Sequence, residues 1–435
     1  MAEEKLVPKL RFIEYSDEWS SYNLGELLTF YSTNSFSREK LNYESGSVKN
    51  IHYGDIHTKY PSILSIENNK EVPFINNDLD LSKFSEDQYL QEGDLIIADA
   101  SEDYEDIGKA IEVKNINNEK VLAGLHTILA RDEKNMTVNG FKAYLFSTNN
   151  LKTKIKIIAN GISVLGISKN NLSKINVKIP SKNEQRDIVS FISDIDKKIE
   201  LLERKHQSYL EFKNYLMKQI FTQKLRFAEF EDDWIPYKIG DISKTYSGGT
   251  PSTSKKEYYE GNIPFIKSGE INNDVTEQYI TEDALKNSSA KRVQKGDLLL
   301  ALYGATSGEV AISKIDGAIN QAVLKIDNNM DNYFQYCYFL MYKDQIVHKY
   351  IQGGQGNLSA NIIKKLEFKY PSLAEQKKIS QFFMSFDNKL ELYENKIIKY
   401  NNLKKGLLQQ MFGYVHIILN FPAKICCIKY FLNSW

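Results

Sequence analysis

Six consecutive residues, Ser101-Glu-Asp-Tyr-Glu-Asp106, put four carboxylates within reach of one another. Carboxylates so spaced can hold a magnesium ion for phosphodiester hydrolysis. A solvated loop is the favoured reading, because a second copy of this stretch, described below, reads Tyr303-Gly-Ala-Thr306 instead. Other catalytic signatures are missing. An amino-methyltransferase holds its target amine in an Asn/Asp-Pro-Pro-aromatic loop, and none of the nine prolines adjoins another. A P-loop needs Gly-Lys-Ser/Thr to cradle phosphates, whereas the one Gly-Lys pair, Gly108-Lys109, precedes Ala110. The histidines (His52, His57, His126, His206, His348, His416) are scattered, with no His-Glu-x-x-His. Three cysteines, Cys337, Cys426 and Cys427, cannot build a four-thiolate zinc site or a disulfide framework. The expectation is a chain that is not itself a catalyst and holds no metal.

What positions the polar residues is a duplicated framework. Residues 9–25, KLRFIEYSDEWSSYNLG, recur as KLRFAEFEDDWIPYKIG at 224–240, an offset of 215 that sets Trp19 and Trp234 in register. EGDLIIAD (92–99) matches KGDLLLAL (295–302), an apolar run entered from a Gly-Asp turn, as in a buried strand. IPSKNEQRDIVSFISDIDKKIELLE, from 179, is echoed by YPSLAEQKKISQFFMSFDNKLELYE, from 370, at an offset of 191. The first copy thus carries 24 more residues between these anchors. The organisation is module, helix, module, helix.

The helices give the clearest periodicity. Ile188, Ile192, Ile195, Ile199, Leu202, Tyr209, Leu216 and Ile220 hold a heptad stripe broken at His206 and Lys213. Ile379, Phe383, Phe386, Leu390, Tyr393, Ile397, Tyr400, Leu407 and Met411 keep the phase, with Lys404 matching Lys213. Pro180 and Pro371 stop the preceding extended segments, and Ser181 or Ser372 can begin a helix. About 38 residues make a rod of roughly 57 Å. Packing of each helix on its own module is the alternative; the matching narrow stripes favour the helices packing on each other. Because Lys9–Trp19 copies the segment after helix one, the N-terminal segment is expected near the end of helix two, and the helices are expected to run antiparallel. The modules mix short β runs (Leu95–Ala98, Val121–Ala130, Leu298–Leu302, Ala318–Ile326) with turn-rich loops. The fold class is α+β, two similar modules with bent sheets alternating with two long helices paired as an antiparallel coiled coil. The domains are expected at 1–180, 181–222 (helix), 223–370, 371–412 (helix) and 413–435, an atypical apolar tail.

GGTPSTSKKEYYEGNIPFIKSGEI (248–271), KGDLLLALYGATSGEVAI (295–312), INQAVLKI (319–326) and GGQGNLSANIIKKLEFKYPSLAEQ (353–376) resemble the specificity subunit of type I restriction-modification systems. IHYGDIH (51–57), IIADASEDYEDIGKA (96–110) and AGLHTILAR (123–131) do so in the first copy. The resemblance covers about Leu6 to Phe412. It implies that each module reads one half of a split double-stranded DNA target, and that the helices set the spacer and dock two modification subunits. Two restriction subunits would complete the complex. S-adenosylmethionine, ATP and magnesium are then expected on the partner subunits, none on this chain, which would work in the bacterial cytoplasm. Met1–Lys9 leads into no apolar segment, and no run of apolar residues is long enough to span a membrane.

For reading bases, side chains with bidentate edges or charged forks are needed in loops. In the second module these are Lys267, Tyr303, Thr306, Asn320, Gln321, Gln355 and Asn357. In the first they are His52, Tyr53, Asp55, Ser101, His126 and Thr127, with Asp99 beside them. Because the copies differ here, two different half-sites and an asymmetric target are expected. The coiled-coil positions are Ile188, Ile195, Leu202, Tyr209, Leu216, Ile379, Phe386, Tyr393, Tyr400 and Leu407. The competing readings are a coiled-coil scaffold whose modules bind proteins, and a self-contained magnesium nuclease using residues 101–106. Lys and Arg number 56, as do Asp and Glu. Residues 1–180 carry 21 basic and 26 acidic groups and residues 226–370 carry 17 and 19. Neither module should hold DNA tightly by phosphate neutralisation alone.

Overall fold

The computed structural model describes residues 5–67, 69–351 and 357–417. Its contacts divide the chain into two compact units, residues 1–201 with 397–435, and residues 202–396. This division cuts across the linear order of modules and helices, because each unit takes part of each long helix. The helices run Lys182–Phe221 and Leu373–Met411. No helix among the described residues is long and apolar enough to cross a membrane.

In the first unit a five-stranded sheet is ordered Thr29–Tyr31, Thr127–Arg131, Leu95–Ala98, Ala110–Lys114, Ile63–Ser65, antiparallel except for the last pair. A second sheet is ordered Val121–Ala123, Lys49–Ile51, Phe74–Ile75, Leu41–Asn42, and its first two strands are parallel. The second unit repeats the plan with fewer residues. One sheet is ordered Ser243–Ser247, Val323–Asn328, Leu298–Ala301, Val310–Ile312. The other is ordered Tyr279–Ile280, Ile263–Ile266, Gly317–Ile319, Lys291–Val293, with the middle pair parallel. The uninterrupted apolar runs now have a cause. Leu95 and Ile97 face the core that also holds the long helices, while Ile96 and Ala98 face a core with Ile51 and Val121. Leu298 and Leu300 likewise face one core and Leu299 and Ala301 the other. A strand covered on both faces shows no alternation.

The recurring Lys-Leu-Arg-Phe…Trp segment is a clamp on a helix start. Arg11 donates twice to Glu184, at 2.7 Å each, and the Trp19 indole donates to the same carboxylate at 3.2 Å. In the second unit Arg226 donates twice to Glu375, at 2.8 Å each, with Trp234 at 3.3 Å. Ser181 and Ser372 accept from the backbone N–H of those same glutamates, capping both helices. Gln185 and Gln376 donate to the carbonyls of Pro180 and Pro371. The Glu-Gln dipeptide after each Pro-Ser is explained by these bonds.

Within the second unit the helices run antiparallel. His206 faces Glu394 at 3.1 Å and Lys213 donates to Asp387, so seven residues forward on one helix meet seven back on the other. The breaks in the apolar stripe are thus polar rungs. Tyr333 also donates to Asp387. The first unit holds the copy of this rung, with Lys404 at 2.5 Å and Tyr144 at 2.9 Å from Asp196. Ile188, Ile195, Leu202, Leu216, Ile379 and Leu407 are buried. Tyr209 meets Phe386 and Tyr393 at ring distances of 5.9 and 5.6 Å and remains partly exposed. Tyr400 packs half-buried on the first core. The N-terminal strand Lys5–Pro8 pairs with Tyr414–Ile417, just past the end of helix two, where the duplication placed it. The rest of the 413–435 tail lies outside the described residues.

Candidate nucleic-acid interface

In each unit the polar candidates gather where the two parallel strands end. Ile51 and Ala123 are paired in the first unit as Ile266 and Ile319 are in the second. Just beyond, the N–H of Gly124 donates to Ile51 at 2.8 Å, and that of Asn320 to Ile266 at 3.4 Å. His52 therefore corresponds to Lys267, and Gly124-Leu125-His126 to Asn320-Gln321-Ala322. A third loop joins from the neighbouring sheet: Asp99 N–H donates to the His126 carbonyl, and Leu302 N–H to that of Ala322. The shared geometry aligns the edges; the side chains on them differ at every position.

On the first edge Tyr53 is the hub, its ring 4.7 Å from His52, 5.3 Å from His126 and 6.0 Å from His57. His126 is exposed and sits at φ +54°, a left-handed conformation costly for a residue with a β-carbon. Its Nδ1 lies 3.4 Å from Asp99, whose carboxyl is pushed upward by burial and pulled back by the imidazole. His52 is buried and caps the helix Tyr53–Thr58, Nδ1 accepting from Gly54 N–H. Burial, and then the Arg38 guanidinium, hold its imidazole below the usual histidine range. Three of the expected readers face inward. Asp55 is buried against Arg38 and Lys59. Thr127 donates to the Gly124 carbonyl, and Ser101 to that of Asp103. These are turn-fixing groups, a distinction adjacency in sequence does not carry.

On the second edge a concavity of about 330 Å³ is lined by Thr250, Lys256, Tyr259, Lys267, Gln278 and Asn320. Gln321 is exposed, and Thr250 donates to its side-chain carbonyl at 2.6 Å. Asn320 accepts from Ala322 N–H at 3.0 Å. Both amides have an oxygen engaged internally, so what they offer a base is chiefly N–H donation, matched by purine N7 or guanine O6. Lys267 lies 3.9 Å from Glu277. The short helix Gly304–Thr306, flanked by exposed Tyr303, packs against Ser268–Glu270. Leu358 N–H bonds to Leu302, which brings Asn357 to the same edge; Gln355 lies outside the described residues. Gly248 passes so close to Ile319 that a β-carbon would sit 1.7 Å from its carbonyl oxygen, so only glycine fits. Thr250, Tyr259 and Gln278 were not singled out from sequence, because they reach the edge from over forty residues before Asn320. The Gly-Gly-Thr-Pro turn was the available signal.

The carboxylates of 101–106 do not converge. Glu105 pairs with Lys156 at 2.6 Å, Asp106 lies 3.8 Å from His57 and 3.9 Å from Lys109, and Asp103 accepts from Glu105 N–H. Among the described residues no group of three His, Cys, Asp or Glu is placed to hold a metal ion.

A family model described as the type I restriction modification DNA specificity domain matches residues 16–211 and again 231–401. The chain belongs to that family. Two specificity-domain copies account for the two edges. Similar specificity subunits include that of MjaIX from Methanocaldococcus jannaschii, 34% identical over 213 residues, 44% of this chain and 48% of that protein. The chain thus spans about half the length of that relative. The putative MjaX subunit of the same organism is 24% identical over 73% of this chain and 76% of its own length. The EcoR124I/EcoR124II subunit of Escherichia coli is 28% identical over 38% of this chain and 43% of its own. The S subunit from M. genitalium shares the fold, with a TM-score of 0.57 at 14% identity, covering 93% of this chain and 99% of that one.

Proposed function

We propose that this specificity-family chain is the DNA-reading, non-catalytic subunit of a type I restriction-modification complex. Each module reads one half of an asymmetric bipartite target. The observation that carries this is one scaffold bearing two different edges: His52 stands where Lys267 stands in the other unit, and Gly124-Leu125-His126 where Asn320-Gln321-Ala322 stand. The long helices set the spacer and dock two modification subunits, with two restriction subunits completing the assembly; exposed Phe212 and Tyr215 on helix one are apolar contacts suited to such docking. S-adenosylmethionine, ATP and magnesium act on those partners. Two of the four carboxylates at 101–106, Glu105 and Asp106, already face basic side chains, which speaks against a nuclease in this chain. Selection from a random duplex library by the purified chain tests the reading, with two unlike half-sites at fixed spacing expected. Sequence-independent binding would favour a protein scaffold, and plasmid cleavage abolished by Asp103→Ala would favour the nuclease.

A further inference from the structure

A hairpin at Asn160–Gly166 in the first unit carries apolar side chains outward. Ile162 is fully exposed, Ile157 on the preceding helix 75% exposed and Val164 51%. The hairpin is an ordered feature: Asn160 and Gly166 exchange backbone bonds of 3.0 and 2.8 Å. Gly161 adopts φ +137°, where a β-carbon would lie 2.0 Å from the Val164 carbonyl oxygen. Holding branched apolar groups in water by a built turn is unfavourable unless something covers them.

Two observations say what covers them. First, the hairpin continues the reading edge. Leu165–Gly166 pairs with Ala100–Ser101, and Ile167 N–H donates to Asp99, the residue whose carboxylate holds His126. Second, the surrounding chain suits a polyanion. From Lys134 to Asn183 there are nine lysines and no Asp or Glu. Lys154 bonds to the neutral carbonyl of Asn176, which leaves its charge uncompensated, and Lys169 bonds to that of Tyr31 with the Asp99 carboxylate nearby. The module is net acidic; Lys142, Lys156 and Lys178 pair with Glu112, Glu105 and Glu18, while Lys152, Lys154 and Lys156 sit on the helix Asn149–Ile158 that leads into the hairpin.

We propose that Asn160–Gly166 is a DNA-contacting finger of the first module, its Ile162 and Val164 meeting thymine 5-methyl groups of the first half-site. The thymine methyl is the apolar group that base edges present in the major groove. The inference rests on the proposed DNA-reading function. It is tested with the full chain by selection from a random duplex library, comparing the wild type with the Ile162→Ser/Val164→Ser variant and then replacing thymine by deoxyuridine in the selected site. The finger predicts a thymine preference in one half-site that the variant loses, with the other half-site unchanged. Deoxyuridine should weaken the wild type about three- to fivefold per contacted methyl and the variant not at all. If thermal melting shows the double variant unfolded, Val164→Thr, which keeps the shape and replaces one methyl by a hydroxyl, is read the same way. An unchanged motif with unchanged deoxyuridine sensitivity would overturn the finger. So would loss of binding to modification subunits with DNA selection intact, or insensitivity to deoxyuridine with loss of DNA bending, which would make the tip a wedge. A wild type that selects no sequence overturns the function itself and the finger with it.

Discussion

In the proposed reading, His126 trades stability for recognition. Its left-handed backbone costs about 1–2 kcal/mol, and the second copy has Ala322 there without a positive φ. His126→Gly relieves that strain and adds about 0.5–1 kcal/mol of chain entropy cost. The variant should therefore melt at or slightly above the wild-type temperature while losing discrimination at the first half-site. Nearby, His52 is held below the usual histidine range by burial and Arg38. In acid the unfolded chain takes up that proton more readily than the folded one, so stability is full above about pH 6.5 and falls as pH drops below it. Denaturant titrations across pH 5–8 should show this slope, flattened in His52→Gln. Arg11 holds a Glu184 carboxylate that is almost completely buried, so Arg11→Ala should cost the first unit about 3–5 kcal/mol. Arg226 is more exposed, and Arg226→Ala should cost the second unit less. Sequence marked Arg11, Trp19 and their copies as paired but not what they hold. It also could not tell His126, which faces out, from Asp55 and Thr127, which face in.

At the scale of elements, periodicity located both helices to within about two residues, because a heptad stripe is a local signal. The polar breaks at His206 and Lys213 looked like interruptions. Their partners, Glu394 and Asp387, lie on another helix nearly two hundred residues away, so only the antiparallel register shows them as rungs. Lys213→Ala leaves Asp387 with Tyr333 alone in a half-buried site and should destabilise the second unit by about 1–3 kcal/mol. The strands were legible as apolar runs, while their division between two sheets per unit was not, since a run buried on both faces carries no alternation. If the helices set the spacer, one heptad inserted after Leu202 and another after Tyr393 adds about 10.5 Å to each rod. The target spacer should then lengthen by about three base pairs with both half-sites intact, read by methylome sequencing.

Over the whole molecule, equal numbers of acids and bases hide a segregation. The first module is net acidic yet contains an acid-free stretch, residues 134–180, with eight lysines. Binding by the isolated chain should be weak and should fall with salt along a shallow slope, because few phosphates are neutralised. The duplication, legible in full from the sequence, makes the central claim directly testable: two modules, two half-sites. The measurement is a map of methylated bases in the host genome, before and after residues 1–180 are exchanged for the corresponding module of another family member. The account predicts an asymmetric split motif in which the exchange alters one half and leaves the other half and the spacer untouched. A single palindromic motif, or an exchange that changes both halves together, would contradict it.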